Sequence, residues 1–418
     1  MRLLPLTLMF LLLICGCTKN GTGGGASADS QRDRAIYDRA ARIAAALDDR
    51  QLAAQVIISG IDGRGRLPWH MRVLLEECPA GGIMLFRYNL DSDSEAIRRL
   101  VAESSGLVAQ GATIDLDTDD GQDDAPETIA IYPFVAIDHE GGLVNRFRPG
   151  LADLPPAVSY WEMAQGGGRE SAIAKINTDG FNVGTVINSI GINLNFAPVA
   201  EYLNADNSEF LEERSYGPDP GFTAQAAAAF IMGMKSAGVL CAVKHFPGSA
   251  GADPHLFSGT LTGDRATLAK LTSPFAALIK DGHARAIMVS HSAVPAWDGE
   301  TIASLSPQVM GTWLRGGLGF KGIIISDDFS MAAASSPAAA SGPLSATPET
   351  LAVRSLAAGA DMVLVWPPDL RRTHRAILAA LDDGRLPRDR LQEAATRIIF
   401  EKLRMEEEEE EENLTQRH

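Results

Sequence analysis

Cysteine is scarce in this 418-residue chain: there are four, and two of them, Cys15 and Cys17, lie within the first seventeen positions. Cys78 and Cys241 sit in apolar sequence ("LLEECPAGG", "GVLCAVKH") and read as buried side chains, so no disulfide framework is indicated. Long hydrophobic runs are also missing. The one near the start, in "MRLLPLTLMFLLLICGC", falls short of the about 20 apolar residues that span a bilayer. Basic residues form no stripe, which removes the electrostatic footprint of a nucleic-acid binder. No glycine-rich dinucleotide fingerprint follows the first strand-like run, no serine stands in a G-x-S-x-G elbow, and no phosphate-cradling loop is present. The histidines are scattered singly. A metal-dependent hydrolase is therefore the disfavoured rival, and neither metal nor cofactor is expected.

What is present is a globular composition, 45% hydrophobic and 22% charged, with enough chain for a large core. The formal charge of −16 is local: 115–127 and the glutamate run 406–412 hold seven acidic residues each, and the rest is nearly neutral. The run 405–418 reads as an acidic, solvated C-terminal tail extending or fraying from a helix. Asp115, Asp117 and Asp119 resemble the start of an EF-hand loop, but Asp120 and Pro126 occupy its sixth and twelfth positions, so a solvated insertion is the better reading. The first residues have an early cation, an apolar core and a small residue before Cys17, as an export signal does. Their end, "ICGC", resembles a bacterial lipobox, which implies cleavage and acylation at Cys17. Residues 18–32 would then tether the domain to a membrane, with the protein exported to the periplasmic or cell-surface side.

Eight short apolar runs follow: "AQVIISGI", "GGIMLFRY", "IYPFVAID", "INLNFAPVA", "GVLCAVKHF", "ARAIMVSH", "KGIIISDD" and "ADMVLVWP". Helix-like segments such as "DSEAIRRLVAESSGLVA", "GFTAQAAAAFIMGMKSAG", "LAKLTSPFAALIKDG" and "PETLAVRSLAAG" separate them. Near-continuous apolar strands alternating with helices predict an α/β fold with a parallel sheet, and eight units favour a closed (β/α)8 TIM barrel over residues 33–404. Polar residues gather where these runs stop: Asp138 and Glu140, Asn195 and Glu201, Lys244 and His245, His291, then Asp327 and Asp328. In such a barrel those positions form one rim, where active sites are assembled.

Retaining glycoside hydrolysis needs a carboxylate nucleophile and a proton donor across the scissile bond. Asp327, ending a buried strand, can point toward substrate, and Asp328 should then face away. A histidine can serve as acid/base if a carboxylate favours its charged form, as Asp253 could for His255. The motifs "IDHEGGLVNRF", "GINLNFAPVAE", "ERSYGPDP", "KHFPG", "GFKGIIISDDFSM" and "AGADMVLV" resemble, in order and spacing, those of the family 3 glycoside hydrolases, most closely the single-domain β-N-acetylhexosaminidase branch. The resemblance covers residues 40–404 and implies the same barrel. It implies Asp327 as nucleophile, Asp253 and His255 as the acid/base pair, and Asp138, Arg146, Arg214, Lys244 and His245 as sugar contacts. The loop between the two pairs is two residues shorter than is usual, Ser249 and Pro254 replace a histidine and a serine, and Leu143 replaces an arginine. A neutral histidine base would not repel an anionic acceptor, which suits muropeptide-like substrates. The expected substrate is an oligosaccharide of peptidoglycan or chitin type, cleaved by a monomer that touches the membrane only through its lipid. A β-glucosidase and a silent carbohydrate-binding lipoprotein are the alternatives.

Overall fold

Each of the eight apolar runs supplies a strand. The computed structural model describes residues 28–90, 93–117, 125–148, 150–251, 253, 259–331, 334 and 346–416. Its strands are β1 (Ile57–Gly60), β2 (Gly82–Leu85), β3 (Thr113–Leu116), β4 (Glu127–Ala130), β5 (Phe134–Ile137), β6 (Leu194–Asn195), β7 (Leu240–Phe246), β8 (Ala286–Val289), β9 (Ile323–Asp328) and β10 (Met362–Val365). All but β3 and β4 close a parallel barrel in the order β1-β10-β9-β8-β7-β6-β5-β2. Every residue of the barrel strands is buried except Asp328. That two-sided burial is why the runs are continuously apolar instead of alternating.

Glycine at the base of two strands permits close approach. A Cβ on Gly81, before β2, would meet the Gln55 carbonyl oxygen at 2.0 Å, and one on Gly322, before β9, would meet that of Arg285 at 2.0 Å. Any side chain there would push neighbouring strands apart.

The helices follow the expected spacing with one exception. Ser94–Gly111 is capped by Asp93, whose side chain accepts from the Glu95 N–H; Pro220–Lys235 is capped by Asp219, which accepts from Phe222. The segment "LAKLTSPFAALIKDG" is two helices, Arg265–Leu271 and Ser273–Lys280, because Pro274 has no N–H to continue the first and is suited to open the second.

The described parts of two segments read as appendages are helical. Helix Ala28–Ala46 begins inside the stretch taken as a tether, and the glutamate run continues the last helix, Arg388–Gln416. There Glu407 pairs with Arg32 at 2.9 Å, while Glu408 pairs with Arg285 at 2.8 Å and Lys235 at 3.1 Å. Both helices share a second small core with the β3–β4 hairpin, built on Ile43, Leu47, Leu52, Ile114, Leu116, Ile131 and Ile399. The ends of the acidic insertion are thus strands: Leu116 pairs with Glu127. Cys17 and most of the Ala-, Ser- and Pro-rich stretch 332–347, which the sequence places as a loop soon after the Asp327 strand, lie outside the described residues. No described helix is long and apolar enough to cross a membrane.

Candidate active site

The barrel order β5-β6-β7-β8-β9 places five polar strand ends side by side. Asp138, directly after β5, receives the Lys244 ammonium on Oδ1 at 2.5 Å and an Arg146 N–H on Oδ2 at 2.5 Å. Glu140, two residues on, receives Arg214 through two bonds of 2.8 and 2.9 Å and the same lysine at 2.5 Å. Two carboxylates and three cations therefore interlock across β5, β7 and the short helical turn Glu212–Arg214. Burial pushes the Asp138 carboxyl up, but Lys244 and Arg146 outweigh it and hold the group well below the usual carboxylate range. Glu140 is also held low, with Lys244 and Arg214 outweighing burial.

The turn that carries these acids depends on glycine. Gly141 and Gly142 have φ of +92° and +50°, and a Cβ on Gly141 would meet the Pro155 carbonyl oxygen at 2.5 Å. Between the acids, the buried His139 donates from Nε2 to the Ala152 carbonyl at 2.8 Å and accepts the Arg146 N–H on Nδ1 at 3.2 Å. Burial lowers its imidazole to about 4, so the ring is neutral at pH 7.

Lys244 and His245 lie within β7, where the register with β8 shifts between Val243 and Phe246. Register shifts re-aim side chains, and here consecutive residues both reach polar partners. His245 Nδ1 bonds Glu201 Oε1 at 2.7 Å. After β8, the buried His291 bonds Ser304 through Nδ1 at 2.7 Å and the Asp328 carbonyl through Nε2 at 3.0 Å. Burial depresses its imidazole, while the nearby Asp327 and Asp328 carboxylates pull the other way.

Asp327 is buried near the end of β9, where the register with β10 also shifts, between Met362 and Leu364. Its Oδ1 accepts the Asp328 N–H at 2.9 Å, and Oδ2 makes no hydrogen bond among the described residues. Asp328 turns away as expected, accepting from Ser330 and from the Trp366 indole N–H at 2.5 Å. Burial raises its carboxyl, partly offset by those bonds. One carboxylate is thus left with a free oxygen while its neighbour is engaged in structure.

The structure therefore brings together Asp138, Arg146, Arg214, Lys244, His245 and Asp327. Asp253 is described but His255 is not, so the expected pair lies partly outside the described residues. Sequence reasoning named Glu140, Glu201 and His291 as strand-end residues without giving them roles. Their pairing across strands could not be read from spacing, although the ends of the apolar runs were the signal that found them. Among the described residues, no group of three or more histidines, cysteines and carboxylates is arranged to hold a metal ion.

The fold and the site define an enzyme of the (β/α)8 class with its chemistry at the C-terminal rim. A family model described as "Glycosyl hydrolase family 3 N terminal domain" matches residues 71–400. The chain is 33% identical over 306 residues to a beta-hexosaminidase of Methylococcus capsulatus, covering 72% of this chain and 79% of that one. Its structure is similar to that of a glycoside hydrolase family 3 beta-N-acetylglucosaminidase from Paenibacillus, with TM-score 0.72 and 28% identity, over 87% of this chain and 63% of that one. It is also similar to NagZ of Neisseria gonorrhoeae, with TM-score 0.65 and 28% identity, over 82% and 89% of the respective chains. The chain belongs to glycosyl hydrolase family 3 and is a glycosidase; its substrates are carbohydrates.

Proposed function

We propose that the chain is a retaining β-N-acetylhexosaminidase that removes terminal β-linked N-acetylglucosamine from peptidoglycan or chitin-like oligosaccharides. The observation that carries the reading is Asp327, a buried strand-end carboxylate with one unbonded oxygen, on the same rim as the Asp138–Lys244–His245 group. Asp327 attacks the anomeric carbon while His255, oriented by Asp253, protonates the leaving oxygen. Water then releases the sugar from the aspartyl ester as the same histidine takes its proton. Asp138, Arg146, Arg214, Lys244 and His245 hold the sugar hydroxyls. The beta-hexosaminidase name of the Methylococcus relative and the beta-N-acetylglucosaminidase name of the Paenibacillus structure support the choice of sugar. The chain works as a single-domain monomer, exported and held at the membrane through lipid on Cys17.

The test is turnover of chromogenic aryl glycosides together with labelling by a fluorinated glycoside. Hydrolysis of the N-acetylglucosaminide in preference to the glucoside, with label on Asp327, is expected. Asp327→Asn should lower kcat by about a thousandfold or more in a protein that still folds. Preferential hydrolysis of the glucoside, or label on another residue, overturns the reading.

A further inference from the structure

Glu201 is 2% exposed, follows β6, and spends both its oxygens on two neighbouring segments. Oε1 receives the His245 ring Nδ1 at 2.7 Å, the Ser249 hydroxyl at 3.0 Å and the His245 backbone N–H at 3.3 Å. Oε2 receives the Ser249 backbone N–H at 2.5 Å. Four donors on one buried carboxylate leave it no freedom to rotate. The segment it grips is itself fixed from the other side, since the Gly248 carbonyl accepts the Ser290 and Ser292 hydroxyls at 3.0 Å each. The sequence places Glu201 forty-four residues from His245; only the adjacency of β6 and β7 brings them into contact.

We infer that Glu201 is a positioning residue for sugar binding, setting the tautomer and ring plane of His245 while Ser249 locks the carboxylate that does so. A carboxylate only accepts, so the proton of His245 sits on Nδ1, and Nε2 is the nitrogen left for the sugar: an acceptor in the neutral ring, a donor in the imidazolium. Without Glu201 the ring is free to turn and to exchange tautomers, and the sugar loses a preorganised partner. Ser249 takes part through its backbone as well as its hydroxyl, so the residue that departs from the family pattern keeps a place in the network. The inference rests on the proposal that His245 contacts the sugar.

A double-mutant cycle of Glu201→Gln and His245→Ala separates the two claims. Glu201→Gln should raise KM for the N-acetylglucosaminide about tenfold with kcat within about threefold of wild type, because a contact made equally in ground and transition states is lost. In the His245→Ala background the same change should do almost nothing, since its target is gone. Effects that multiply in the double variant, or a folded Glu201→Gln protein with wild-type KM, overturn the positioning role while leaving the sugar contact of His245 intact. A wild-type KM in His245→Ala alone overturns the sugar contact itself. If Glu201→Gln does not accumulate as folded protein, Ser249→Ala serves instead. It should raise KM about threefold, and only where His245 is present; a rise that persists without His245 defeats the inference.

Discussion

The two ends of the barrel carry ion clusters of nearly the same composition and opposite meaning. At the rim, Asp138 and Glu140 face Lys244, Arg146 and Arg214. At the other end, just before β10, Asp361 is fully buried and faces Arg315 at 2.5 Å, Arg390 at 2.9 Å and Arg397 at 3.0 Å. The lower cluster is closed on itself. Asp361 also accepts the Ile324 N–H at 2.9 Å, Arg315 donates to the Gly322 carbonyl at 2.7 Å, and Arg390 to that of Ala360 at 2.6 Å. Its charges bind β9 to β10 and to the last helix. The rim cluster is open: the Arg146 side chain keeps 32% of its exposure and Asp138 17%, so donors remain within reach of a ligand. A buried ion cluster is thus not by itself a sign of function. Cavity size is no better guide, because a cavity of about 550 Å³ lies at the lower end, lined by Phe181, Met232, Lys235, His283 and Arg285, and includes none of the rim residues.

The comparison breaks if the lower cluster turns out to matter for chemistry. Asp361→Asn removes the buried carboxylate shared by three partly buried arginines, of which Arg390 and Arg397 keep Glu393 and Arg315 keeps only carbonyl acceptors. It should cost about 3 kcal/mol of stability in chemical denaturation, as breaking buried pairs does. The remaining folded fraction should keep wild-type KM; a changed KM would erase the distinction between the ends.

Acid should weaken the rim through His139. Its imidazole is depressed by burial to about 4, below the ordinary value, so its contribution is complete above about pH 6.5 and is lost as pH falls toward 4. Between pH 7 and 4.5 the wild type should lose about 2–3 kcal/mol from this group alone, and His139→Gln should show a correspondingly flatter acid slope. An unchanged slope would mean that folding leaves the titration of the ring unaltered.

Lys244→Met gives a free-energy change no larger than that of His139 and the sharpest contrast. Removing the cation shared by Asp138 and Glu140 should lower kcat/KM about 30- to 100-fold, roughly 2–3 kcal/mol. Because Lys244 helps hold both carboxyls low, the acid limb of the pH profile should move upward. A limb that stays in place would show that the two arginines alone hold the carboxylates ionised.

Eight strands, their parallel order and the rim positions were legible because burial on both sides of a strand demands an unbroken apolar run, and the residue that ends the run is the first that can meet solvent or substrate. The hairpin around the acidic insertion was not legible. Its strands β3 and β4 are only partly buried, so the apolar signal is weak there. The broken helix at Pro274 could have been read from proline alone.

The amino-acid sequence by itself determined the barrel, the family and the identity of Asp138, Lys244, His245 and Asp327 as rim residues, because each rests on a local pattern: period, glycine spacing or a contiguous motif. Only the tertiary structure decided which charges meet. Lys244 bridges two acids more than a hundred residues away, Glu201 grips a histidine from the neighbouring strand, and within the largely exposed glutamate run Glu407 pairs with Arg32 and Glu408 with Arg285. Such pairings depend on the closure of the barrel and the register of its strands, and no local pattern encodes the distance between side chains brought together from remote positions.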